Sequence, residues 1–285
     1  RSIMEEVATG ILYVVATPIG NLEDITLRAI RILKEVDEIA AEDTRRTRIL
    51  LKAYGISTAV SSLFDAVEKK RAQQLVDRMA AGSSIAYVSD AGTPGISDPG
   101  FHLINAALRA GIKVVPVPGV SAVVAALSAA GLPMHSFVFH GFLPARAGQR
   151  RELLRNCRTE RRTQVFYEAP QRLRACLEDI RAEMGDRRLV VARELTKIYE
   201  EFIRGSSDEI LAALNDKKIK GEITLIMAGS DAEVVEYGDG EILAMLEKLG
   251  RDASLSLRDR VVQVAGMTGC ARKRIYQIAL KGKFS

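Results

Sequence analysis

The chain has 285 residues, 47% of them hydrophobic and 27% charged, with a formal charge of +5 and a pI near 9.1. That profile describes a globular protein long enough for two domains and for a core without covalent staples, and it excludes a disordered or collagen-like chain. No apolar run approaches the ~18 residues of a membrane span, and residues 1–9 hold no apolar signal segment.

Cys157, Cys176 and Cys270 are dispersed, as are His102, His135 and His140, so there is no disulfide framework or metal-ligand spacing and no metal is expected. A reducing, cytoplasmic setting is the expectation. Basic residues fall in groups: Arg45, Arg46 and Arg48; seven arginines from Arg146 to Arg162; and Arg272, Lys273, Arg274, Lys281 and Lys283. Each group alone is what a solvated face carries; together they are compatible with a nucleic-acid partner.

Residues 10–16 form an apolar, β-rich run, expected as a central first strand. Thr17-Pro18-Ile19-Gly20-Asn21-Leu22 breaks it, and Asp24 is the expected N-cap of a helix whose apolar residues continue to Val36. The turn offers backbone N–H groups to a polar ligand, yet it matches neither G-x-G-x-x-G nor a phosphate loop. Residues 37–41 read as a short strand ending in Glu42-Asp43-Thr44-Arg45-Arg46. Asp43 or Thr44 is expected to cap a helix over 45–54, and capping and substrate contact can coexist there. Residues 59–63 read as strand, 66–81 as an amphipathic helix and 84–88 as a buried strand.

Residues 89–100 (Ser-Asp-Ala-Gly-Thr-Pro-Gly-Ile-Ser-Asp-Pro-Gly) hold three glycines and two prolines in twelve positions. They propagate neither helix nor strand, and they exceed the ~2–6 residues that a strand-to-helix connection needs. The expectation is a ligand loop, with Asp90 at the carboxyl end of its strand, where open α/β sheets keep their ligands. Helix over 101–110, strand over 113–117 and an alanine-rich helix to 130, with Ser121 as N-cap, complete a parallel βαβ domain over 1–131. Residues 131–135 read as a linker. Strands over 136–142, 163–168, 188–193, 198–203 and 221–227 and helices over 149–156, 172–184 and 208–214 give a second α/β domain with a mixed sheet, over 132–230. An acidic, glycine-containing stretch leads to three helices (241–249, 257–264, 271–280) in a domain over 238–285. Its Gly266-Met267-Thr268-Gly269 turn before a basic helix is a helix-turn-helix pattern, with a plain helical cap as the competing reading.

Several of these segments, in this order, resemble the signatures of the tetrapyrrole methylase superfamily, and within it the branch that methylates small-subunit ribosomal RNA. They are residues 17–24, Ala41-Glu42-Asp43-Thr44-Arg45, residues 89–94, Pro118-Gly119-Val120-Ser121-Ala122, residues 129–133, Gly141-Phe142-Leu143-Pro144, Phe166-Tyr167-Glu168 and Arg193-Glu194-Leu195-Thr196-Lys197. Each motif alone is weak; the ordered set covers nearly the whole chain. The resemblance implies two α/β domains with S-adenosyl-L-methionine in the cleft between them, a helix-turn-helix-like third domain, and a homodimer. It implies 2′-O-methylation of a cytidine in the decoding region, on free rRNA or on an assembled small subunit. By motif position it places Pro18, Asp90, Ala91, Gly92, Ile96, Asp98, Ser121, Ala122, Tyr167, Leu195, Glu222 and Thr224 at the methyl donor.

A ribose hydroxyl is a poor nucleophile until its proton leaves, so a base or a polarising cation assists. Glu42, Asp43, Arg45 and Lys197 are the expected catalytic group, with Asp65, Glu68 and Glu168 as further acids to weigh. Arg45, Arg46 and the Arg146–Arg162 group are placed to neutralise phosphates. One departure stands out: where many relatives carry His-Asp/Glu-His-Asn-Glu, this chain has Phe64-Asp65-Ala66-Val67-Glu68. The Pro-Gly-Pro-Ser-Ala common in relatives is Pro-Gly-Val-Ser-Ala here, a milder change. Two other readings stay open on sequence: a methylase of a tetrapyrrole or other small substrate, and an RNA-binding assembly factor without catalysis.

Overall fold

A computed structural model describes residues 9–63, 68–215, 218–231, 237–250, 255–268 and 270–282. The first five strands, β1 (Ile11–Val15), β2 (Glu38–Ala41), β3 (Val60–Ser62), β4 (Ile85–Val88) and β5 (Lys113–Val117), form one sheet in the order β3-β2-β4-β1-β5. Every neighbouring pair is parallel. Helices α1 (Leu27–Glu35) and α2 (Thr44–Ala53) pack Ile32, Leu33, Leu50 and Leu51 on one face of it. Helices α3 (Glu68–Ala80) and α4 (Phe101–Arg109) pack Leu75, Val76, Met79 and Leu103 on the other. Covered on both faces, β2 and β4 are buried at every residue, which is why their sequences show no polar alternation.

The second sheet holds β6 (Phe137–Phe142), β7 (Thr163–Glu168), β8 (Leu189–Arg193), β9 (Glu201–Gly205) and β10 (Ile223–Met227) in the order β6-β7-β10-β8-β9. β6 and β7 are parallel; β10 lies antiparallel between β7 and β8, and β9 antiparallel to β8. Helices α6 (Ala147–Asn156), α7 (Leu173–Met184) and α8 (Ser207–Leu214) cover one face. The other receives α5 (Ala122–Ala130), whose Val123, Ala126 and Leu127 meet Val165, Val190 and Ile226. The last helix of the parallel series thus packs on the second sheet, and residues 1–230 group into one compact unit. The expected linker at 131–135 is tightly packed: Leu132 is buried, and Pro133 accepts the Thr163 hydroxyl.

Residues 231–285 make a second unit of α9 (Asp239–Gly250), α10 (Leu257–Thr268) and α11 (Arg272–Lys281) around Ile242, Leu246, Val261, Val264 and Ile275. No helix among the described residues is long and apolar enough to cross a membrane.

Several local expectations are corrected. Asp24 does not cap a helix: Asn21 caps a short 3-10 turn, Leu22–Asp24, and the Thr26 hydroxyl accepts the Ala29 N–H to cap α1. β9 starts three residues later than expected, for a reason given below. Residues 266–268 are not a turn but the end of α10, where the Thr268 hydroxyl donates to Val264 O at 2.7 Å. Ser121 stands at the N-cap of α5 without a side-chain capping bond. Arg150 is withdrawn from any phosphate-binding role: it is buried, and its Nη2 lies 2.6 Å from Asp179 Oδ2. Phe64, Asp65, Ala66 and Val67 lie outside the described residues.

Candidate functional site

Three turns converge at the carboxyl ends of adjacent strands β4, β1 and β5. Thr17 and Gly92 exchange both backbone hydrogen bonds at 2.9 Å, tying the turn after β1 to the loop after β4. The Thr93 hydroxyl donates to Val120 O at 3.1 Å, adding the turn after β5. A Cβ on Gly119 would sit 2.8 Å from the Ala16 Cβ, so this approach requires glycine. Helices from β1 and β4 leave to opposite faces, which makes this the switch point of the sheet.

The second sheet meets these turns with one edge. Because β10 is antiparallel to β7 and β8, its first residues lie beside their last ones: Thr224 pairs with Tyr167, and Ile223 with Glu168 and Arg193. Between the two groups lies a cavity of about 330 Å³, in the range of small-molecule sites. Of the expected donor residues, Ala91, Ile96, Asp98, Ala122, Tyr167, Leu195, Glu222 and Thr224 line it. Pro18 and Asp90 line a second hollow of about 180 Å³ on the other side of the turn, with Thr17, Gly20, Leu22, Arg46 and Ile49. Gly92 holds the turns together, and Ser121 precedes Ala122 at the start of α5. Tyr167 packs edge-on to Phe139 (5.0 Å between centroids) and is tilted against Phe142 (5.4 Å). Burial, then the Asp98 and Glu222 carboxylates, push its phenol up to about 12.

The expected catalytic residues fall into two networks. In the first, Glu42 Oε2 accepts the Asp90 N–H at 3.2 Å, and Asp90 Oδ1 accepts the Asp43 N–H at 2.9 Å. Asp43 caps α2 through the Arg45 N–H (2.8 Å) and chelates the Arg45 guanidinium (Nε 3.1 Å, Nη2 2.9 Å), which holds its carboxyl down at about 2. Arg46 Nη1 lies 3.4 Å from Asp90 Oδ2. In the second, Lys197 Nζ bridges Glu194 (2.8 Å) and Glu222 (2.9 Å). Burial opposes the Lys197 charge, but the two carboxylates outweigh it and its pKa rises. Lys197 is laid against Gly20, where a Cβ would come within 2.5 Å of its Cγ. Gly20 lines the second hollow, and the Lys197 partner Glu222 lines the first.

Of the further acids, Glu68 is committed elsewhere, whereas Glu168 lines the cavity with one carboxylate oxygen engaged. Glu68 Oε1 accepts the backbone N–H groups of Gly100, His102 and Leu103. Glu168 Oε1 takes Arg172 Nη2 at 2.6 Å and the Ala169 N–H at 2.8 Å. Sequence reasoning missed Glu194, Phe142, Ser97 and Gly221. Glu194, Phe142 and Ser97 stood within segments already singled out, without a role assigned to them. Glu194 is positioned by left-handed backbone at Glu194 (φ 52°) and Thr196 (φ 67°), which residue type does not announce.

Residues 11–211 match the family of Tetrapyrrole (Corrin/Porphyrin) Methylases. The chain is 44% identical over 272 residues, 94% of each chain, to ribosomal RNA small subunit methyltransferase I of Halalkalibacterium halodurans. It is 44% identical over 278 residues, 96% of this chain and 98% of the other, to the protein of that name from Pseudomonas aeruginosa. Among solved structures, uroporphyrin-III C-methyl transferase from Thermus thermophilus complexed with S-adenyl homocysteine superposes with a TM-score of 0.56 at 19% identity, covering 77% of this chain and 97% of that one. The chain thus shares its fold with that structure, and it belongs to the tetrapyrrole (corrin/porphyrin) methylase family, in the group of the ribosomal RNA small subunit methyltransferase I proteins.

Proposed function

We propose that the chain methylates small-subunit (16S) ribosomal RNA with S-adenosyl-L-methionine as donor, at the 2′-hydroxyl of a cytidine in the decoding region. The observation that carries this reading is identity of 44% spread over 94% of both chains, to a relative named as a small-subunit rRNA methyltransferase. The reading includes a homodimer in the cytoplasm, with free rRNA or the assembled subunit as partner. Domains 1–131 and 132–230 close on the cavity, and the helices of 238–285 contact RNA.

The cavity suits the donor chemically. Ile19, Ala91, Ile96, Ala122 and Leu195 offer apolar walls, and the Asp98 and Glu222 carboxylates suit a cationic ligand. Bound there, the donor supplies an electrophilic methyl on a sulfonium. Ala91, Ile96, Asp98, Ala122, Tyr167, Leu195, Glu222 and Thr224 hold it, while Pro18, Asp90, Gly92 and Ser121 set the turns around it. The acceptor ribose must come within reach of the donor's methyl, on the side of the cavity that faces residues 17–20. Lys197 stays an ammonium and donates hydrogen bonds to the acceptor oxygen as negative charge develops there. Asp43, held near 2 by Arg45, is a weak base, so the Glu42–Asp43–Arg45 network orients the nucleotide more than it takes its proton.

The test is transfer of radiolabelled methyl to small subunits from a strain lacking the endogenous activity, with nuclease mapping of the product. Label on one decoding-region ribose is expected. Binding of both donor and subunit without transfer would instead point to an assembly factor, and transfer to a small macrocycle but not to subunits would point to a tetrapyrrole methylase.

A further inference from the structure

The cavity occupies one end of the second sheet. At the other end, where β7 and β8 begin and β10 finishes, the fold gathers arginines from two separate segments. Met227 pairs with Gln164 and Leu189, which brings residues 155–162 and 186–188 to the same edge. Arg155, Arg158, Arg161, Arg162, Arg187 and Arg188 stand there against Glu160, Glu183 and Asp186. The two glutamates are already engaged. Glu160 takes Arg162 through Nε (2.8 Å) and Nη2 (2.6 Å), and Glu183 takes Arg155 at 3.2 Å. Arg158, Arg161 and Arg188 are exposed, and among the described residues no carboxylate lies within ion-pair distance of them.

This edge is braced rather than loose. Arg187 donates to Ala228 O (3.3 Å) and to Arg158 O, so it ties three segments together through carbonyls. The Ser230 N–H donates to Glu160 O at 2.7 Å, and Gly229 presses on the Arg161 carbonyl, where no Cβ would fit. Like charges carried on a braced backbone concentrate positive potential at one edge, and guanidinium forks match phosphate oxygens. Four to five strand residues separate it from the cavity, roughly 13–17 Å at ~3.3 Å per residue. A small substrate in the cavity does not span that distance; a polynucleotide does.

We propose that Arg158, Arg161 and Arg188 form a second RNA-binding surface that grips the phosphate backbone of the substrate rRNA away from the methylated residue. The inference rests on the rRNA reading above. It is tested with the full chain by steady-state methylation of small subunits across a salt series, comparing Arg158→Ala/Arg161→Ala/Arg188→Ala with Lys34→Ala/Lys52→Ala/Arg109→Ala. The second triple removes the same charge from exposed positions elsewhere in the first unit. The arginine triple is expected to raise KM for subunits about tenfold or more and to flatten the slope of log KM against log salt by about 2–3. Its affinity for S-adenosylhomocysteine and its thermal midpoint should match the parent, and the lysine-containing control should stay within about twofold in KM. A KM unchanged in the arginine triple, or raised equally in both triples, would overturn the surface while leaving the rRNA reading intact. Absence of transfer to subunits by the parent protein would overturn both, and it is seen before any variant is made.

Discussion

Helix α4 is preceded at its N-cap by Gly100, whose left-handed φ of 119° is accommodated by glycine and whose missing side chain leaves the first N–H groups of the helix without a local cap. The acceptor comes from 32 residues earlier. Glu68, 3% exposed, places Oε1 at 3.1 Å from Gly100 N, 2.9 Å from His102 N and 3.1 Å from Leu103 N. One charge-assisted bond of this kind contributes about 1.5–3 kcal/mol, and a buried N–H left without a partner costs about 1–3 kcal/mol. Three donors share one oxygen, so the contributions do not add. Glu68→Ala should therefore destabilise the first unit by about 3–5 kcal/mol, a large part of the ~5–15 kcal/mol available to a domain. Glu68→Gln keeps a neutral acceptor and should lose only about 1–2 kcal/mol. The assay is denaturant unfolding followed by near-UV circular dichroism, to which the fully buried Tyr87, packed against Gly100, contributes. The same cap anchors the end of the 89–100 loop that supplies Ala91, Ile96 and Asp98 to the cavity. Affinity of Glu68→Gln for S-adenosylhomocysteine should thus fall by about threefold to tenfold. An alanine variant within about 0.5 kcal/mol of the parent would refute the capping role.

Gly20→Ala puts a Cβ 2.5 Å from Lys197 Cγ and 2.9 Å from both its Cε and Thr196 Oγ1, so Lys197 must leave its bridge between Glu194 and Glu222. Methyl transfer should drop by about 10–100-fold with the thermal midpoint little changed, and full activity would show that Lys197 is not needed where it stands. Asp43 should titrate near 2 in a carboxyl NMR experiment, below its ordinary 3.8. Because the folded value is the lower one, its support of α2 is present above about pH 4 and lost as the pH falls through about 2; a midpoint near 3.8 in the folded protein would contradict the chelated pair.

β4 was legible because it is buried on both faces and so appears as an unbroken apolar run; β5, an edge strand that is only partly buried, was still matched residue for residue at 113–117. β9 was misplaced because Ile198 and Tyr199 are good strand formers by composition. In the fold they are 94% and 75% exposed at the tip of a turn, which Glu194 and Thr196 open with positive φ and the Glu200 carboxylate closes on the Thr196 N–H at 2.6 Å. Turn geometry overrode propensity there. Similarly, Gly266 reads as a breaker, yet α10 continues past it because Val261 and Val264 bury their side chains on the same helix. The donor positions in the second sheet came from resemblance alone. Nothing in the order of strands along the chain tells that the last one, β10, inserts antiparallel between β7 and β8, and only that insertion sets Glu222 and Thr224 beside Tyr167.

The same insertion shapes the chemistry the site can perform. Residues 17–20 divide the two hollows, with Ile19 facing the larger one and Pro18 and Gly20 the smaller. The charges around this divide are compensated within the protein: Lys197 by Glu194 and Glu222, Arg45 by Asp43, Arg46 by Asp90. The Arg45 guanidinium holds Asp43 down and the Glu194 and Glu222 carboxylates hold Lys197 up, so Asp43 lies below and Lys197 above the pH at which it would exchange a proton easily. Such groups make fixed dipoles rather than proton carriers. In the reaction proposed above, the donor's sulfonium is electrophilic enough that a well-aimed hydroxyl is the main requirement, and a glycine-backed lysine, a double backbone bridge and one chelated arginine would supply that aim. Misplacing Lys197 by a methyl group at Gly20 is therefore a sharper probe of catalysis than removing any one carboxylate.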